Sequence, residues 1–285
     1  MVKNDDRRRL PPEIVYEVLE HCLFVSPEAL FSAPALFWGY RDCDLGTRPV
    51  LRRSVHLLRV CRQWHALALP LLYAALWISS TADAEAIAHA LRSRPPLCRA
   101  VRALRVGAVE DGFGDGLQYI VAHAPHLRAV RLQLDTSDWA ALNSLDALAR
   151  ALPCLRPTVL WVSRNIAVSG RHACRVAAIF NTCLAEDYTH LEHLHLGSNF
   201  NLTEETAHAI RQCPRLNSVS IRLTDLQYQW PPSLLNTIDS PRLQTIRCRV
   251  PVANLATLDI DNVRKDLVSR GVDSAVVEKL TFIPR

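Results

Sequence analysis

Apolar residues along the chain follow two rhythms, helical up to about residue 80 and alternating strand with helix from about residue 91 onward. Near the amino terminus Ile14, Val15, Val18, Leu19 and Cys22 recur at helical spacing behind Pro11 and Pro12, with Glu13 in the first turn. Proline fixes φ and lacks an amide donor, so it suits a helix entry, and an early glutamate complements the positive end of the dipole. The pattern predicts a helix from about Pro12 to Cys22. A second seam, Leu57, Cys61, Trp64, Ala68 and Leu71, predicts another helix, which Pro70 should end near Leu69. A few short helices cannot bury this much apolar surface among themselves, and a surplus of that kind marks a partner site.

Beyond these helices one phrase recurs: an apolar helix end, then L-x-x-h-x-h, where h is apolar. It opens at Val101, Leu127, Leu155, Leu191, Leu216 and Leu243, with separations of 26, 28, 36, 25 and 27 residues. The long interval carries an insertion near Ser163 to Arg175. Prolines 125, 153, 214 and 241 stand two residues before a leading leucine and hand the chain from helix to strand. Helical stretches such as Leu117, Ile120, Val121, Ala124 and Leu142, Leu145, Leu148, Leu152 lie between the strands. Each strand-helix unit has a face that only a stacked neighbour can cover. The strands alternate, with Arg105, Arg131, His195, Ser220 and Arg247 between apolar neighbours, so one sheet face should be wet, unlike the doubly covered sheet of an ordinary α/β domain. The expected fold class is therefore a short α-helical module followed by an α/β solenoid with a parallel concave sheet. Leu255 to Ile283 should close it with a helix and a last strand.

Two motifs sharpen the reading. Leu10-Pro11-Pro12-Glu13-Ile14 on the first helix and Val60-Cys61-Arg62-Gln63-Trp64 on the second resemble the F-box, the helical module that docks a substrate receptor onto the Skp-type adaptor of a cullin ubiquitin ligase. The later phrase, extended in Leu191-Glu192-His193-Leu194-His195-Leu196-Gly197-Ser198-Asn199, is similar to the leucine-rich repeat. The whole chain thus resembles F-box proteins with a carboxy-terminal leucine-rich-repeat-like region, of the kind common in fungi. The resemblance implies that Leu10, Pro11, Ile14, Val18, Val60, Cys61 and Trp64 form or support a surface for a Skp-family adaptor and, through it, a cullin. It further implies that the repeats recruit a protein for ubiquitination by other subunits. On this basis residues 1–80 form the adaptor-binding domain, with an insertion at about 24–50, and residues 81–285 form the recognition domain, with 251–285 as its cap. The rival reading is a repeat scaffold attached to no ligase.

Composition restricts the alternatives. The longest apolar run, Ala66 to Ile78, is thirteen residues and contains Pro70, too short to cross a bilayer, and the first ten residues lack a signal-like apolar stretch. Nine scattered cysteines without a CxxC pair, Cys61 and Cys183 among them in apolar surroundings, fit buried thiols in the cytosol or nucleus. No catalytic constellation is found: the glycines around residues 112–116 lack the order of a phosphate or calcium loop, and His190, His193 and His195 lack the partners of a metal site. No cofactor or metal is expected. Only Lys3, Lys265 and Lys279 of 33 basic residues are lysines, so 30 are arginine. On the repeat register the wet positions are 105, 107, 131, 133, 159, 161, 195, 197, 220, 222, 247 and 249. Arginine fills five of these twelve, Arg105, Arg131, Arg222, Arg247 and Arg249, where even scattering would put about one, and Trp161 and His195 share the face. Guanidinium groups bind carboxylate and phosphate bidentately, so this strip predicts an acidic or phosphorylated protein target. A net charge of +5 is modest for nucleic acid.

Overall fold

The structure, a computed structural model, describes residues 10–23, 30–31, 56–107, 114–133, 148–163, 171–197, 200, 202–222, 231–250, 254, 256 and 258–284. Helix α1, Pro12–Leu23, packs on α2, Arg62–Ala74, which follows a short 3-10 turn at His56–Arg59. Two stripes divide α1. Val15, Leu19 and Leu23 join Ala68 and Leu71 in a small core, with Leu57, Trp64 and Leu67 packed against it. Ile14 and Val18, one position away on the helix, stay outside. The second helix does not stop before Pro70, which lies inside it. One missing amide donor is offset by the burial of Leu71 and Ala74, which the extra turn carries inward.

Strand β1, Ala75–Ile78, follows α2 without a loop. The repeat sheet therefore begins before residue 80, and its first strand belongs to the stretch that sequence pattern groups with the N-terminal domain. Among the described residues seven more strands follow: β2 Ala103–Val106, β3 Ala129–Gln133, β4 Val159–Ser163, β5 His193–Leu196, β6 Ser218–Arg222, β7 Thr245–Val250 and β8 Leu280–Pro284. All neighbours are parallel and the spatial order is β1-β2-β3-β4-β5-β6-β7-β8, the order of the chain itself. Every strand is laid beside its predecessor, as stacked repeats require.

Leu76, Leu104, Val130, Leu160, Leu194, Val219, Ile246 and Leu280 align in one buried row across the sheet, and Ile78, Val106, Leu132, Val162, Leu196, Ile221 and Cys248 in a second. Both rows meet α3 Thr81–Ser93, α4 Gly114–His123, α5 Arg171–Thr182, α6 Glu204–Gln212 and α7 Pro232–Ile238 in one continuous core. Adjacent helices pack on each other, α3 on α4 and α6 on α7. At Gly116 the approach is so close that a Cβ would lie 2.7 Å from the backbone of Ala84 in α3. Beyond β7, among the described residues, helices α8 Ile260–Ser269 and α9 Ser274–Glu278 precede β8, which extends the sheet.

The third repeat departs from the expected spacing. Backbone pairing puts Thr158 level with Arg128, and Leu160 and Val162, not Thr158 and Leu160, point into the core. Two extra residues separate Leu155 from its strand, and Pro157 lies among them. The insertion expected at 24–50 lies outside the described residues except Leu30 and Phe31. The same holds for residues 164–170 of the second insertion, for Leu142 and Leu145, and for Asn199.

Candidate functional site

Two surfaces gather the residues singled out above. On the first, Leu10 is 54% exposed, Ile14 44%, Val18 41% and Val60 57%, with Tyr16 at 40%. Pro11 and Cys61 are exposed too, and Trp64 is half-buried against the small core. Cys61, expected in apolar surroundings, is instead the extended residue that precedes α2. The helical period explains the stripe: Ile14, Val18 and Cys22 are four apart, as are Val15, Leu19 and Leu23, and α2 covers only the latter set.

The second surface is the sheet face opposite the helices. One register row runs Trp77, Arg105, Arg131, Trp161, His195, Ser220, Arg247 and Thr281, one residue from each strand. Arg222 and Arg249 pair two residues further on. The five arginines therefore share a face, yet it is not an open cationic strip. Arg105 is only 2% exposed and donates from Nη1 to the Leu30 carbonyl at 2.7 Å, and Arg131 Nη1 donates to the Phe31 carbonyl. Burial lowers both guanidinium pKa values, that of Arg105 to about 10, with the charge of Arg131 adding to the fall. The anion-binding expectation is corrected for these two: their donors are directed at main-chain carbonyls of the chain's own Leu30 and Phe31.

Trp161 is the centre of the row. Phe31 lies 5.6 Å from it, His195 stacks on it at 4.2 Å, and the Arg249 guanidinium sits 5.5 Å from its ring centroid. Arg249 also donates to the Leu196 carbonyl. His195, expected to face water, is largely covered: burial first, and then Arg249, His193 and Arg247, push its pKa down to about 3. Its Nδ1 and the Ser220 Oγ on the next strand are buried and unpartnered among the described residues. His195→Ala should accordingly cost about 1 to 2 kcal/mol, the lost stack plus lost burial, where a solvated histidine would cost almost nothing. The same burial sets a pH dependence. Below pH about 6.5 the unfolded imidazole binds a proton that the folded one refuses until pH about 3. Stability should therefore fall as pH drops through that window, by at most about 1.4 kcal/mol per pH unit from this group. Thermal melts of His195→Gln should show a flatter pH profile than wild type.

His190, third of the clustered histidines, is exposed and lies 3.3 Å from an Arg215 nitrogen. Among the described residues no group of three His, Cys, Asp or Glu side chains could hold a metal ion. Cys183, Cys213 and Cys248 are buried in the core, which pushes each thiol up to about 12 and leaves them as packing groups at neutral pH. No helix among the described residues is long and apolar enough to cross a membrane.

A sequential parallel sheet with helices on one side and a largely polar and aromatic row on the other defines a leucine-rich-repeat-like solenoid. A crystal structure of the leucine-rich repeat-containing protein LegL7 from Legionella pneumophila is similar over 92% of this chain and 90% of its own, at 14% identity and a TM-score of 0.39. No family model and no curated protein matches the chain.

Proposed function

We propose that the chain is the non-catalytic substrate-recognition subunit of a Skp-cullin-F-box ubiquitin ligase, acting in the cytosol or nucleus. The observation that carries this reading is the exposed apolar stripe of Leu10, Ile14 and Val18 along α1, with Val60 exposed just before α2, all outside the small core that Val15, Leu19 and Leu23 form with α2. These side chains come from the two motifs that resemble the F-box, and a Skp-family adaptor is the partner that this resemblance supplies. The sheet face then recruits the protein target, and a cullin reached through the adaptor brings the ubiquitin chemistry. Direct continuity from α2 into β1 supports the division of labour, since it fixes the docking helices relative to the repeats without a linker.

For the target, the arginines no longer act as one strip. Arg249, committed to the Leu196 carbonyl and the Trp161 ring, leaves Arg222 and Arg247, on β6 and β7, as the part of the face where an acidic or phosphorylated stretch would be held. Affinity purification of the full chain followed by mass spectrometry tests the assignment. Adaptor and cullin should co-purify with a set of further proteins; recovery of those proteins without adaptor or cullin would leave only a repeat scaffold.

A further inference from the structure

The sheet face opposite the helices already holds a ligand, and the chain supplies it. On β1, β2 and β3 this face carries Ala75, Ala103 and Ala129 in register, three small side chains that form a shallow shelf beside the Trp77, Arg105 and Arg131 row. Leu30 and Phe31, both helical in backbone, sit on that shelf. They are 9% and 2% exposed, and beneath them Ala103 and Ala129, on a face that would otherwise be wet, are 1% and 7% exposed. The two carbonyls take guanidinium donors from Arg105 and Arg131, and the Phe31 ring meets Trp161. A shelf of alanines for an aliphatic side chain, arginines for main-chain carbonyls and a tryptophan for an aromatic ring form a set that reads a short peptide.

We propose that the β1 to β4 part of this face is a receptor for a short segment with an aliphatic residue followed by an aromatic one, occupied in cis by Leu30-Phe31, and that a target segment of the same chemistry binds by replacing it. The inference deepens the reading of the repeats as a target-binding surface and rests on it. Three features favour a replaceable ligand over a permanent part of the core. The polar contacts fall on main-chain carbonyls, which any peptide offers. They are made by the ends of long, adaptable side chains. And the N-terminal helices are tied to the sheet through the α2 to β1 junction, so the contact is not needed to hold them there.

The test uses the full chain with Leu30→Ser and Phe31→Ser, which empties the shelf, and a fluorescently labelled peptide of residues Pro27 to Pro34 as probe. Anisotropy titration should show the peptide binding the emptied chain at least about tenfold more tightly than wild type, whose own segment competes. Adding Arg131→Gln to the emptied chain, or Phe31→Ser to the peptide, should each weaken binding by about tenfold or more. No binding to a folded emptied chain, or equal binding to emptied and wild-type chains, would overturn the proposal. Should the double variant fail to fold, Phe31→Ala takes its place beside wild type with the same peptide: tighter binding to the variant supports the receptor, and absent or equal binding overturns it. A wild-type chain that binds no Skp-family adaptor while the emptied variant takes the peptide would remove the ligase reading and leave this receptor in place.

Discussion

Replacing Leu194 by Ala is expected to lower the free energy of unfolding by about 3 to 5 kcal/mol. Leu194 is fully buried on β5, between Leu160 and Val219 in the row that crosses the whole sheet. Its neighbours are set by backbone pairing on both sides, so they cannot collapse into the space that the lost side chain leaves, and the cavity adds to the transfer cost. Equilibrium denaturation in urea checks the value. The contrast with His195, the next residue on the same strand and on the opposite face, makes the test sharp: a larger loss for His195→Ala than for Leu194→Ala would mean that the strand register is displaced by one residue.

The second large effect concerns binding. Ile14→Asp combined with Val18→Asp should leave the fold nearly as stable as wild type, because both side chains are exposed and Val15, Leu19 and Leu23 still hold α1 on α2. Adaptor affinity should nevertheless fall by about a hundredfold or more, since two carboxylates would have to be desolvated at the centre of an apolar interface. The milder pair Leu10→Ala and Pro11→Ala should cost at least about thirtyfold by loss of contact alone. Surface plasmon resonance against immobilised adaptor reads both, with circular dichroism confirming the fold. Affinities unchanged in the aspartate pair would place the docking surface elsewhere.

How much of this could be read without coordinates depended on whether local pattern decided the outcome. The alternation of Leu191, Leu194 and Leu196 with His193 and His195 fixed the face of β5, because a strand has a period of two and one side must be dry. Where the chain bent the rule, the reading slipped. Two extra residues before β4 displaced Thr158 from the row that spacing assigned to it, and Pro70 was absorbed into α2 by tertiary packing that overrode its local cost. The first strand was missed because Ala75–Ile78 follows a helix with no turn signal between them.

The binding face was legible as a row of positions, not as an environment. Repeat spacing put Arg105, Arg131 and His195 level and Trp161 on the same face two residues further on. The two extra residues before β4 bring Trp161 into the row, and nothing in the spacing showed that Leu30 and Phe31 return to it from the N-terminal region. That return changes what the side chains do. Arg105 and Arg131 become donors to carbonyls, and His195, stacked on Trp161 beside Arg249, becomes a neutral ring. Alanine at 75, 103 and 129 was the available signal, since three small residues in register on a wet face leave room for something to lie there.

Direct titration of the purified chain with a purified Skp-family adaptor, followed by isothermal calorimetry, tests the central claim. A saturable one-to-one complex is predicted, with a negative heat-capacity change from buried apolar surface and with affinity lowered about a hundredfold or more by Ile14→Asp and Val18→Asp. Absence of any complex with a folded wild-type chain, or a complex indifferent to those two substitutions, would contradict it.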